Sequence, residues 1–186
     1  MRALTEYCYF FITCEGDNEK IVFKYIIDEG RFIVDDEGRY SIDYLSTHTS
    51  AARKKLLNDI FEYSFEGPVA ILSIQDRPKE TWRLTSGEKK IMERNMIDLL
   101  PVVTYPEIEI LAILHDDKCS KEWDKVKRKE SASSFCKRYY KKNIKNGDDF
   151  LTVFSCFDEF EEACRKYSTK NQHKDVLTLY DIIKKC

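Results

Sequence analysis

Over the first two thirds of the chain, continuous apolar runs alternate with segments whose apolar residues recur every three to four positions. Cys8 to Cys14 reads Cys-Tyr-Phe-Phe-Ile-Thr-Cys, the pattern of a strand covered on both faces. It stops at Glu15-Gly16, after which Asp17 or Asn18 caps a helix with Val22, Phe23, Ile26 and Ile27 on one side. Arg31 to Val34 and Tyr40 to Leu45 flank Asp35-Asp36-Glu37-Gly38 and predict either a hairpin or a loop entering a single strand. Thr49 or Ser50 caps a second helix carrying Leu56, Leu57, Ile60 and Phe61, and Gly67-Pro68 ends the connection after it. Val69 to Ile74 is the second buried-strand run, and it ends in the polar cluster Gln75-Asp76-Arg77-Pro78. The spacing of Ile91, Met92, Met96, Ile97 and Leu100 predicts a third helix over 87–100, closed by Pro101. Val102 to Tyr105 predicts a short strand, and Pro106 suits the first turn of a helix over Glu107 to His115.

Strands alternating with helices over residues 7–115 imply right-handed crossovers, and so a doubly wound, mostly parallel α/β sheet of about four strands. Beyond His115 the pattern turns helical, over 133–143, 158–167 and 175–185, with Gly147 and residues 168–174 as breaks. The expected organisation is an α/β core over 1–115 and a helical C-terminal extension over 116–186 packed on the same domain.

Composition narrows the class without naming a function. A chain of 186 residues with 42% hydrophobic residues, six Gly and four Pro is neither collagen-like nor mostly disordered. Its longest apolar runs, 69–74 and 108–114, fall well short of the roughly 20 residues that cross a bilayer. Thr5 and Glu6 interrupt the start, so no secretory signal is read and the expected location is the cytoplasm. The seven cysteines are odd in number and form no Cys-x-x-Cys pair, a distribution that suits reduced thiols better than a disulfide framework or a zinc site.

Charge is unevenly spread. The net charge is −2, yet 121–146 holds ten Lys or Arg against Glu122, Asp124 and Glu130, a local +7. Trp123, Phe135, Tyr139 and Tyr140 are interleaved with these cations. The segment reads either as the footprint of a polyanion, with aromatic stacking surfaces, or as a solvated helix face.

Candidate chemistry follows from position. In a doubly wound sheet ligands bind beyond the carboxyl ends of the strands. Glu15 follows the first strand run, Asp76 the second, and Glu109 lies about one turn into the helix after the last strand. Three carboxylates converging there suit Mg²⁺ or Mn²⁺, hard cations with oxygen ligands; the other reading is of helix-capping or surface acids. Gly16 can take φ > 0 and let a phosphate approach the adjoining helix. His115, six residues beyond Glu109, points about 120° away from it on a regular helix and is expected to pack.

These segments resemble a family. Thr13-Cys14-Glu15-Gly16-Asp17-Asn18-Glu19-Lys20 resembles the Cys-Glu-Gly-x-Thr-Glu opening of RloB-like proteins, a branch of the Toprim fold related to the OLD nucleases. Tyr105 to His115 is similar to that family's Asn-Pro-x-Phe-Glu-hydrophobic run ending in His, matching at Pro106, Glu109 and His115. The resemblance covers residues 7–115. It implies a Toprim-like, Mg²⁺-dependent nuclease that hydrolyses DNA or RNA phosphodiesters in bacterial anti-phage defence, with Glu15, Asp76 and Glu109 catalytic. It further implies Mg²⁺ or Mn²⁺ held by Glu15, Asp76 and Glu80. Here Glu80 is the next acid after Pro78, which stands where the family's second aspartate would. Gly16, Arg77 and Lys79 would meet phosphate, and Lys137, Arg138, Lys141 and Lys142 the nucleic-acid backbone. An ATPase or other defence-system protein is the expected protein partner. Pro78 supports an alternative: a degenerate Toprim domain that binds nucleic acid or a protein without cleaving. A small-molecule nucleotide binder using the same crevice is a third reading.

Overall fold

The computed structural model describes residues 2–34, 40–45, 50–76, 84–144, 147–171 and 176–184. Strands β1 (Tyr9–Cys14), β2 (Tyr40–Leu45), β3 (Val69–Gln75) and β4 (Ile97–Val103) form a parallel sheet in the order β2-β1-β3-β4. Alternation along each strand sorts side chains to two faces. Phe10, Ile12, Ala70, Leu72, Leu100 and Val102 turn to one, where α1 (Asp17–Asp28) covers them with Val22, Phe23 and Ile26. Val69, Ile71 and Ile97 turn to the other, under Leu56, Leu57 and Ile60 of α2 (Ser50–Glu62) and Met92 of α3 (Ser86–Arg94). Helices on both faces of a parallel sheet make this a Rossmann-like α/β fold.

After β4 the chain returns to the α1 face as α4 (Ile110–His115), α5 (Asp117–Val126), α6 (Ala132–Tyr140), α7 (Gly147–Leu151), α8 (Phe157–Lys170) and α9 (Leu179–Ile182). Phe135, Phe150, Phe160 and Tyr167 from these helices belong to the same hydrophobic cluster as Phe10 and Ile12 of the sheet. Among the described residues no helix is long and apolar enough to cross a membrane.

Several expectations need correction. The helix predicted over 87–100 ends at Arg94, and Ile97 to Val103 is strand. Ile91 and Met96 are exposed at 41% and 45%, so the apparent helical stripe is not an inner face. Parallel pairing with β3 claims Ile97 to Val103. Pro101 is tolerated because β4 is an edge strand: its carbonyl points outward and accepts from Leu177 N at 2.9 Å, on the side where the missing N–H disturbs no ladder. Arg31 to Val34 form no hairpin with β2, since Phe32 bridges Ile183 instead.

The helix before His115 begins at Ile110, not Glu107, because the amides of Ile110 and Leu111 bond back three residues in a tight turn. Gly16, not Asp17 or Asn18, occupies the cap position of α1. Gly147 starts α7 instead of breaking the chain, and a Cβ there would lie 2.5 Å from Ile21 Cδ1. Helix α8 continues through Lys170, past the predicted break at 168. The last helix is confined to 179–182, since Leu177 and Ile183 on either side are extended and bridge Val102 and Phe32. Helix α5 is not evident from the sequence pattern: its buried face is only Cys119 and Trp123 on a charged sequence.

Candidate functional site

Chain order and sheet order place the switch point between β1 and β3. From β1 the chain adds β2 on one side, then crosses over to add β3 and β4 on the other, and a crevice opens where the direction reverses. Glu15 and Asp76 are the first residues beyond these two strands. The ladder continues into them: Glu15 N donates to Ile74 O at 2.9 Å, and Asp76 N donates to Glu15 Oε2 at 2.9 Å. One side chain thus ties the two strand ends together.

The adjoining cleft, of about 310 Å³, is lined by Gly16, Asn18, Glu19, Asp76, Glu109 and Ser133, among others. Glu19 and Glu109 are buried, at 6% and 4% exposure. The Asp76 and Glu19 carboxyls share a hydrogen bond, and Glu109 Oε1 accepts from Asn18 Nδ2 at 3.4 Å. On the far wall, Glu107 Oε2 accepts from the Ser133 amide at 2.7 Å and so caps α6.

Electrostatics couple these acids. Asp76 is pushed up to about 8, first by burial, then by the charges of Glu19 and Glu15, with a smaller contribution from Glu109. Glu19 is also raised by burial, while the amides of Glu19 and Gly16 and the bond from Asp76 act to hold it ionised. The shared bond acts in opposite directions on the two carboxyls, raising Asp76 and lowering Glu19, while burial raises both.

Three oxygens of the cleft residues are buried without a hydrogen-bond partner: Asn18 Oδ1, Asp76 Oδ1 and Ser133 Oγ. Buried polar atoms are normally satisfied, and Ser133 is only 3% exposed. The donors are all oxygen, as a hard cation requires. Among the described residues no three His, Cys, Asp or Glu side chains are already gathered to hold a metal ion. Mg²⁺, however, commonly uses one or two carboxylates and keeps several waters, so the residues fit a site of that kind.

Of the predicted site residues, the structure brings Glu15, Asp76 and Glu109 to one region and adds Glu19, Asn18, Glu107 and Ser133. Glu109 sits at the cap position of α4 instead of a turn inside it. Gly16 has φ −137°, an extended conformation open to any residue, so the positive-φ argument does not apply. What its missing side chain does is leave room: a Cβ would meet Glu19 Oε2 at 2.7 Å. Its amide is also engaged by the Glu19 carboxylate. Arg77, Pro78, Lys79 and Glu80 lie outside the described residues. His115 packs edge-on against Phe154 and lies 3.7 Å from Glu159. Glu19 was legible in one respect, since an acid in the first helical turn, four residues past Glu15, folds back over the turn that joins them.

The basic segment is divided. Lys137, Arg138, Lys141 and Lys142 are exposed, but Arg138 pairs with Glu130 at 2.6 Å. The interleaved aromatics are not stacking platforms. Phe135 is fully buried and Trp123 is 7% exposed, while the Tyr139 and Tyr140 hydroxyls donate to Asp116 and to the Ala112 carbonyl. Ser133 at the start of α6 lines the acidic cleft, which puts Lys141 about 12 Å farther along the helix axis at 1.5 Å per residue. No protein-family model, curated protein or solved structure matches the chain.

Proposed function

We propose that the cleft at the ends of β1 and β3 takes Mg²⁺ or Mn²⁺ with a nucleic-acid phosphodiester, and that the chain is a Toprim-like, RloB-related nuclease of bacterial anti-phage defence. The observation that carries this reading is that Asp76, at the switch point, feels the charges of Glu19, Glu15 and Glu109 while its buried Oδ1 is unpartnered. Burial and the neighbouring charges raise Asp76, and a bound cation would oppose both and make its two oxygens available as ligands. A cation bound there supplies Lewis acidity to a phosphoryl oxygen and lowers the pKa of bound water.

The chain's own residues have distinct parts in this proposal. Glu15 orients Asp76 through its backbone amide. Asp76 and Glu15 hold the ion, and Glu109, fixed by Asn18, serves as base toward water. Lys137, Lys141 and Lys142 grip the backbone beyond the cleft. The second reading, a binder that does not cleave, is favoured by the lack of three gathered ligands among the described residues and by Pro78.

A panel of single-stranded, duplex and tRNA substrates with Mg²⁺ and Mn²⁺ separates the two. Cleavage by the wild type and none by Asp76→Ala supports the nuclease. Cleavage that persists equally in the variant overturns this site, and binding without cleavage under every condition selects the second reading.

A further inference from the structure

Behind the Tyr105–Glu109 segment lies a second cleft, of about 370 Å³, between α4, α5 and the end of α8. Ile110 and Leu114 form its floor with Trp123, all at most 7% exposed. Tyr105, half exposed, offers a ring at the mouth. On the rim stand Lys127 and Lys170 with one acid, Asp124, whose carboxylate Lys127 meets at 2.9 Å and Lys170 also stabilises. The cleft thus pairs an apolar, aromatic-walled interior with a rim bearing two cations to one anion.

That combination fits few ligand classes. A purely apolar ligand leaves the excess positive charge unanswered, and a bare phosphate leaves the ring and floor uncovered. A planar heteroaromatic base attached to a phosphate answers both, and the volume lies in the range of small-molecule sites. We propose that this second cleft binds a nucleotide, with the base against Tyr105 over the apolar floor and the phosphate on Lys170 and Lys127. The nucleotide is either free or one unit of an unpaired strand. A base in a duplex is unavailable to such a pocket, because its faces are already stacked. The site is separate from the acidic cleft: Pro106 lines one and the next residue, Glu107, the other.

Equilibrium binding of AMP, UMP, adenosine and a six-nucleotide single strand, all in EDTA, tests the proposal. AMP should bind at least tenfold more tightly than adenosine. Tyr105→Ala should weaken AMP on the order of tenfold, the usual scale of loss when a base loses its stacking partner. Lys127→Gln with Lys170→Gln should remove the advantage of AMP over adenosine. Equal affinity for AMP and the six-nucleotide strand identifies a free nucleotide as ligand; tighter binding of the strand, still sensitive to both variants, identifies a strand. Failure of AMP, UMP and the strand to bind at millimolar concentration overturns the proposal, as does binding that neither variant changes. Tyr105 and Lys170 are exposed, so unchanged thermal unfolding of the variants is expected and checks that the fold is kept. Because EDTA excludes divalent cations, failure of the acidic-cleft reading would leave this result unmoved, and a negative result here would leave that cleft untouched.

Discussion

The amide of Asp76 donates to Glu15 Oε2 at 2.9 Å, so the first residue beyond β3 is held by the side chain of the first residue beyond β1. Glu15 is therefore a structural acceptor as well as a charge, and two substitutions separate these roles. Glu15→Gln keeps an acceptor oxygen and should leave stability within about 0.5 kcal/mol, whereas Glu15→Ala should cost about 1–2 kcal/mol through the unpaired amide. Both should lose Mg²⁺ binding, read by calorimetric titration. Full Mg²⁺ affinity in Glu15→Gln would remove this carboxylate from the set of ion-binding groups.

Asp76 is raised from 3.8 to about 8 in the folded chain, and this fixes the sign of its effect on stability. Between those values the folded state holds a proton that the unfolded state releases, so this group's contribution is full below about pH 4 and is lost as pH rises through about 8. Asp76→Asn should flatten that decline and gain on the order of 1–3 kcal/mol at pH 8 in EDTA, seen as a higher Tm. A variant whose Tm falls with pH as steeply as the wild type's would show that the proton sits elsewhere.

Gly16→Ala should disturb the site more than the fold. The added methyl meets the end of a flexible side chain, Glu19 Oε2, at 2.7 Å. The carboxylate can swing away at a cost under about 1.5 kcal/mol, but it then leaves Asp76. Spectroscopic titration of the carboxyls should show the Asp76 midpoint fall, because Glu19 is among the groups that raise it; an unmoved midpoint would mean that Glu19 kept its place.

Gly147→Ala presents the opposite case. Its methyl would meet Ile21 Cδ1 at 2.5 Å and Cβ at 2.7 Å, and a Cβ cannot rotate aside. Separation of α7 from α1 should cost about 1–3 kcal/mol in urea unfolding, with Ile21→Gly, which removes the Cβ as well, recovering part of the loss beyond its own helix-propensity cost. Additive destabilisation by the two changes would show that this close approach is not the cause.

The basic segment is tested by salt. If Lys137, Arg138, Lys141 and Lys142 meet phosphates, replacing all four with Gln should make the slope of log K against log salt shallower by about 0.9 for each duplex phosphate that is no longer neutralised. An unchanged slope returns these residues to a solvated helix face, the role in which Arg138 is already engaged with Glu130.

The runs Cys8 to Cys14 and Val69 to Ile74 were legible as buried strands because both faces of β1 and β3 are covered, which removes polar residues from either face. The second half of the helix read over 87–100 was not: Ile91 and Met92 do lie in α3, but Ile97 and Leu100 extend its helical period and fit a partly buried edge strand alike, and only the partner β3 decides between them. The third carboxylate was placed correctly along the chain but one element boundary out, since the bonds made by the carbonyls of Glu107 and Ile108 are a property of the folded turn.

By itself the sequence determined that acids follow two buried strands and that positive charge gathers in one later segment. Only the tertiary structure decided that Glu19 hydrogen-bonds Asp76, that Ser133 lines the acidic cleft from 57 positions farther along the chain than Asp76, and that Trp123 and Phe135 belong to the core. The reason is physical. Strand and helix periods are local and are written in neighbouring residues, whereas the pKa of a carboxyl and the exposure of an aromatic ring depend on which distant segments exclude water from them.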